Sequence, residues 1–155
     1  MLKFILPNKT LEIVHIVMDY NGTLATDGKL LPGVADRLKK LAPAVHLYVM
    51  TADTFGTAGD YCRELPVKIY TVNTRLGAAD KEKLINTLGP EQTIAIGNGM
   101  NDVLMLKKAA LGILILGEEG AALQALQAAD VVFKHINDAL DFLLKRGRLI
   151  ATLRP

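Results

Sequence analysis

The sequence predicts a doubly wound α/β fold, a parallel sheet covered by helices on both faces in three α/β/α layers. Three observations carry that expectation. Six short apolar, β-rich runs recur along the chain, stretches of helical period separate them, and polar residues gather just past the ends of several runs. Strands that are nearly continuously apolar, rather than alternating, are buried on both faces, as in a parallel sheet between two helical layers. In such sheets ligands bind beyond the carboxyl ends of the strands, so the polar clusters also mark the expected site.

Each element follows in order. Leu2 to Leu6 and Thr10 to Ile13 form a small hairpin turned at Pro7-Asn8-Lys9, leading directly into the first long strand, Ile13 to Met18. Ala25 to Leu30 reads as a flap hairpin, because Asp27-Gly28 between short strands is a strong turn signal. The further strands are Val45 to Met50, Val67 to Val72, Thr93 to Ile96, Gly112 to Leu116 and Val131 to Phe133. The helices are Gly33 to Leu41, Thr57 to Leu65, Lys81 to Leu88, Asn101 to Ala109 and Ala121 to Ala128, with Asn137 to Lys145 closing the chain.

A length of 155 residues is that of one ordinary domain, here 1–155 with the hairpin at about 1–13 and the core at about 13–146. With 50% hydrophobic and 22% charged residues, the chain belongs among compact globular proteins. It can bury roughly two-thirds of its unfolded surface, so the core needs neither disulfides nor a structural metal. The mean hydropathy of +0.26 raises the question of a membrane. Ile13 to Met18, interrupted by His15, and Ala109 to Gly117 fall far short of the roughly 18 residues a spanning helix requires. Met1 to Leu6, ended by Pro7, Asn8 and Lys9, is too short for an export signal. The lone Cys62 excludes an internal disulfide and reads as a packed thiol in a reducing cytoplasm. The net charge of +2 is dispersed except in Lys145 to Arg154, a solvated terminal helix, so neither nucleic acid nor membrane is expected as a partner.

Chemistry concentrates past four strands. The first runs into Asp19-Tyr20-Asn21-Gly22-Thr23, the second into Thr51-Ala52-Asp53, and the fourth into Gly97-Asn98-Gly99-Met100-Asn101-Asp102, while Lys81 opens the helix before that fourth strand. Together they supply a carboxylate nucleophile, hydroxyls, an ammonium and an amide–carboxylate pair. Phosphoryl transfer uses that set: cations and donors neutralise the phosphoryl oxygens while a carboxylate attacks in line. Against this, Lys81 could be a solvated helix-start lysine with Lys83 as a competitor. His15 and His46 read as structural, and His135 as a loop residue at the edge of the site.

These motifs resemble the haloacid dehalogenase (HAD) superfamily of phosphohydrolases, and within it the phosphorylation domain of P-type ATPases. Asp19-Tyr20-Asn21-Gly22-Thr23-Leu24 is similar to D-K-T-G-T-L, and Met50-Thr51-Ala52-Asp53 through Thr57-Ala58 to M-x-T-G-D-N-x-x-T-A less one residue. Lys81 with Leu84, Ile85 and Leu88 matches the lysine helix of the third motif, and Gly97 to Asp102 resembles G-D-G-x-N-D. The resemblance implies that Asp19 attacks phosphorus and becomes an aspartyl phosphate. Thr51 and Lys81 hold the phosphoryl oxygens, joined by Tyr20, Gly22 and Ala52, with Thr23 and Asn101 in support. It implies Mg²⁺ on Asp19, the Asn21 carbonyl and a side chain of the Asn98 to Asp102 loop, a sparse set adequate for an ion that keeps several waters.

Two departures shape the expected activity. Hydrolytic relatives carry a second Asp where Asn21 stands, and an amide supplies no titrating proton. Alkyl phosphates, whose leaving alkoxide needs that proton, are expected to be poor substrates; acyl phosphates, anhydrides and aryl phosphates suffer less. Asn98 stands where the fourth motif offers its first Asp, which makes Asp102 the expected anionic partner of the ion, directly or through water. Length adds a constraint, because 32 residues separate Asp19 from Thr51 and 30 separate Thr51 from Lys81, leaving no room for a cap or a nucleotide-binding domain. The expectation is a capless Mg²⁺-dependent phosphohydrolase or phosphotransferase acting on a small phosphorylated substrate or a phosphoprotein. The alternative is a catalytically weak phosphate-binding or regulatory module. A homo-oligomer covering the open site, built on Phe142, Leu143, Leu144 and Leu149 to Leu153, stands level with packing of those residues in the chain's own core.

Overall fold

In the computed structural model, residues 1–52 and 56–155 are described, so Asp53 of the second motif lies outside the described residues. β1 (Leu2–Ile5) and β2 (Thr10–Ile13) pair antiparallel, and their alternation buries Leu2, Phe4, Leu11 and Ile13 while Lys3, Ile5 and Glu12 face out. Only Val14 separates this hairpin from β3 (His15–Asp19). The flap follows as β4 (Ala25–Thr26) and β5 (Lys29–Leu30), with Asp27 at φ 52° and Gly28 at φ 78°. Two successive positive φ values make the type I′ turn that Asp-Gly favours.

The main sheet adds β6 (His46–Thr51), β7 (Val67–Thr71), β8 (Thr93–Gly97), β9 (Leu111–Ile115) and β10 (Val131–Phe133). Its order is β10-β9-β8-β3-β6-β7, with every pairing parallel. From β3 the chain winds out through β6 to β7, returns to β8 on the other side of β3, and winds out to β10. The crevice beyond the carboxyl ends of β3 and β8 is therefore the switch point of a doubly wound sheet.

Helices cover both faces. α1 (Val34–Leu41), α6 (Ile136–Leu144) and α7 (Arg146–Leu153) place Leu38, Leu140, Leu143 and Leu149 against Ile16, Met18, Val49, Ile94 and Ile113. α2 (Thr57–Cys62) adds Ala58 and Cys62 to that layer, and burial pushes the Cys62 thiol up to about 11, so the packed-thiol reading holds. On the other face α3 (Gly77–Leu88), α4 (Val103–Lys108) and α5 (Leu123–Ala128) set Ile85, Met105, Leu106 and Ala125 against Val17, Tyr48, Met50, Ala95 and Leu114. Phe142, Leu143 and Leu149 are buried in the core and Leu144, Ile150 and Leu153 pack partly buried against it, while Ala151 and Thr152 are exposed.

Several boundaries differ from expectation, among them the starts of α3 and α4. α3 begins at Gly77, four residues before Lys81, because the Asn73 side chain accepts from the amides of Arg75 and Leu76 and so turns the chain into a helix across a glycine. The expected helix at Asn101 opens as a 3₁₀ turn over Met100–Asp102 before α4. The basic tail forms the separate helix α7, anchored by Leu149. Among the described residues no helix is long and apolar enough to cross a membrane.

One strand position is closed to any side chain. A Cβ at Gly112 would meet the backbone carbonyl of Leu106 in α4, where neither partner is a flexible side chain. Gly112→Ala is expected to lower stability by about 1–3 kcal/mol, read as a reduced urea midpoint with unchanged slope.

Candidate active site

Six polar or charged residues are buried among those described, and five of them, Asp19, Thr23, Thr51, Lys81 and Asp102, were singled out from the motifs. Buried polar groups are costly unless paired, so such a cluster marks a constructed site. Asp19 ends β3 at the switch point and pairs in register with Met50; Thr51 closes β6 one residue further on. The turn after Asp19 is tight: the amides of Thr23, Leu24 and Ala25 all donate to the Tyr20 carbonyl, and the Gly22 amide donates to Ala25. Gly22 has φ 80°, and a Cβ there would collide with the Asn98 amide, so the position demands glycine twice over.

Lys81 lies in the second turn of α3 and is fully buried, whereas Lys83 is exposed, which ends the competition between them. Its ammonium donates to Asp19 Oδ1 and to Asp102 Oδ1, each at 2.6 Å. Asp102 Oδ2 accepts from the amides of Asn98 and Gly99, both at 2.9 Å, which fixes the loop after β8. One cation between two carboxylates leaves a buried net negative charge. Burial first, and then the Asp102 charge, push Asp19 up to about 7 despite the opposing pull of Lys81. Burial works to lower the Lys81 ammonium, but the two carboxylates outweigh it and its pKa is raised.

The donor set fits a hard divalent cation. The Thr23 hydroxyl lies 3.4 Å from Asp19 Oδ2 and 3.3 Å from Asn98 Oδ1, and its single proton can serve only one of them. Two oxygens, one anionic, thus converge with lone pairs to spare, a complement that suits Mg²⁺ with its retained waters. Asn98 is oriented for this by its Nδ2, which donates to the Gly120 carbonyl at 3.0 Å. Asp102 Oδ1 accepts from Lys81 and Oδ2 from the Asn98 and Gly99 amides, so its charge also reaches the site through these donors.

The remaining expected residues are placed as follows. Asn21 is exposed on the turn, and its backbone bridges to Ala25. Tyr20 is buried, with its hydroxyl donating to the flap carbonyl of Gly28 at 2.9 Å. Ala52 is half-buried after Thr51, and Asn101 is exposed on the 3₁₀ turn. His15 stacks on His46 with ring centroids 5.5 Å apart, and its Nδ1 lies 3.3 Å from the Tyr48 hydroxyl; these rings sit at the amino-terminal end of the sheet, away from Asp19. His135 caps α6, its Nδ1 accepting from the Asn137 amide at 3.0 Å. Sequence reasoning missed Glu119, whose Oε2 accepts from the Asp27 amide at the flap tip at 3.2 Å. Its position in the loop after a strand end was the available signal.

Comparison with known proteins adds relatives in sequence and in fold. A family model for haloacid dehalogenase-like hydrolases matches residues 79–140. An uncharacterized protein of Methanocaldococcus jannaschii is 50% identical over 78 residues, covering 48% of this chain and 84% of that protein. Human phospholipid-transporting ATPase VB is 30% identical over 141 residues, covering 88% of this chain and 8% of the ATPase. The structure of 3-deoxy-D-manno-octulosonate 8-phosphate phosphatase from Moraxella catarrhalis, in complex with magnesium, phosphate and KDO, shares the fold. Its TM-score is 0.69 at 18% identity, over 93% of this chain and 95% of that one. Residues 79–140 thus match the haloacid dehalogenase-like hydrolase family, and the chain's sequence relatives include phospholipid-transporting ATPases.

Proposed function

We propose that this chain is a Mg²⁺-dependent phosphohydrolase or phosphotransferase working through an aspartyl phosphate on Asp19. The observation that carries the reading is a buried carboxylate at the switch point whose one oxygen is held by Lys81 while the other faces Thr23 and Asn98. An Asp19 oxygen forms the bond to phosphorus as the bond to the leaving oxygen breaks, and the electron pair departs with that oxygen. Lys81 and Thr51 steady the phosphoryl oxygens through the transfer. Water then attacks the acyl phosphate, releasing phosphate and a proton and restoring the carboxylate. Asp19, Asn98 and the Asn21 carbonyl would hold the ion, which when bound neutralises charge on the phosphoryl oxygens. Asn21 orients groups but donates no titrating proton, so substrates with weakly basic leaving groups are favoured and alkyl phosphates are turned over slowly. We place the protein in the cytoplasm, with a small open site.

The test is hydrolysis of p-nitrophenyl phosphate with Mg²⁺ by wild type and Asp19→Asn: turnover is expected in the first and absent in the second. In Asn21→Asp, hydrolysis of an alkyl phosphate should rise by about 10²-fold or more as the general acid is restored; an unchanged rate would remove Asn21 from the leaving-group step. The second reading, a phosphate-binding module with little turnover, is favoured by Asn21 and Asn98 standing where hydrolytic relatives carry acids. Binding of beryllofluoride without turnover would select it, and neither binding nor turnover would reject both.

A further inference from the structure

A cavity of about 300 Å³ shares the Gly22–Thr23 turn with the phosphoryl site. Flap residues Thr26 and Leu31 bound it on one side, and the chain leaving β9 and β10 bounds it on the other. The Tyr20–Gly28 and Glu119–Asp27 hydrogen bonds tie the flap tip down from two directions, so the cavity is formed before any ligand arrives. Its volume lies at the lower end of small-molecule sites. Leu31, Ile115, Leu116 and Ile136 line it with apolar side chains. Lys134 and His135, both exposed at the start of α6, line it as well. Because His135 Nδ1 accepts from Asn137, its Nε2 carries the proton and is a second donor. Glu118 also lines the cavity, so an anion must engage Lys134 and His135 together to be held against it.

We propose that this cavity is the leaving-group pocket of the phosphoryl site, and that it takes the organic part of a small phosphorylated carboxylic acid, with an apolar body and a carboxylate end, rather than a phosphoprotein. The inference rests on the phosphoryl-transfer reading for the position of the phosphorus. The Thr23 wall makes the connection, since its hydroxyl lies 3.4 Å from Asp19 Oδ2.

The test is calorimetric titration of the full chain with Mg²⁺ against inorganic phosphate, benzylphosphonate and 4-carboxybenzylphosphonate. Wild type should bind the carboxylated compound about tenfold tighter than benzylphosphonate, and Lys134→Ala should erase that difference. Leu31→Trp should leave phosphate affinity within about twofold while weakening both phosphonates by about tenfold or more. Gly117→Val adds bulk to the same cavity from the loop after β9 should the tryptophan disturb the flap, because a Cβ there meets only ordinary contacts, with the Gly22 carbonyl and Ile115 Cγ2 both at 3.7 Å. Filling that weakens phosphate and phosphonates alike, or changes none of them, overturns the pocket. No gain from the carboxylate, or an equal loss of both phosphonates in Lys134→Ala, overturns the acid end. Phosphonates bind without transfer, so the expected pattern in a protein that turns over no phosphate ester keeps the pocket and rejects only the hydrolase reading.

Discussion

Lys81→Met is expected to cost about 3–5 kcal/mol of stability at pH 8, because it leaves two buried carboxylates without their cation. Methionine matches the length and apolar stem of lysine, so the loss isolates charge from packing. Lys81 is fully buried and contacts Asp19 and Asp102 at 2.6 Å, and among the described residues no other cation reaches either carboxylate. The penalty depends on an ionised Asp19 and shrinks as pH falls and that group takes up a proton. Urea unfolding of wild type and Lys81→Met at pH 8 and pH 5 checks this. A variant as stable as wild type at pH 8 would mean that the ammonium is not what holds the two carboxylates inside.

Asp19→Asn is expected to abolish turnover and, in chelator, to stabilise the fold. The folded Asp19 sits at about 7 against an ordinary value of 3.8, so the native state keeps a proton that the unfolded chain has released. Stability from this group is therefore fully present below about pH 4 and is lost as pH rises to about 7. Above pH 7 the ionised Asp19 opposes folding, and asparagine removes that opposition. The gain in chelator at pH 8 is of order 1–3 kcal/mol, discounted for coupling to Lys81 and Asp102. Mg²⁺ should raise the melting temperature of wild type and not of Asp19→Asn, since the variant loses the anionic oxygen among the ion's proposed ligands. A variant less stable than wild type in chelator would show that Lys81 needs both carboxylates more than the fold suffers from their repulsion.

Much of this was legible in the residues, because the features that matter are local. Continuous apolar runs such as Ile94 to Ile96 announced strands buried on both faces, and Asp27-Gly28 announced the flap turn. Asp19, Thr51 and Asn98 could be singled out because polar residues at the ends of apolar strands have few structural reasons to be there, and Lys81 because Leu84, Ile85 and Leu88 follow it at helical spacing. What escaped was set by tertiary geometry. Gly77 inside a helix argues against its start, and only the Asn73 turn overrides that. The role of Asp102 depends on where Lys81 and two backbone amides sit, and no spacing rule gives that. The Glu119 clasp on the flap joins residues 92 apart in sequence. The terminal apolar residues read equally as interface or core in the sequence, and the burial of Leu149 depends on how α7 folds back, which no local pattern gives.

The most direct test of the central claim is the covalent intermediate itself. Wild type incubated with acetyl phosphate and Mg²⁺, quenched in acid and analysed by intact mass and peptide mapping, should carry one hydroxylamine-labile phosphoryl group on Asp19. Asn21 leaves the hydrolytic water without a general base, so the adduct should accumulate in wild type and fade in Asn21→Asp. No adduct on Asp19 while phosphate is still released, or an adduct that persists in Asp19→Asn, would contradict the account.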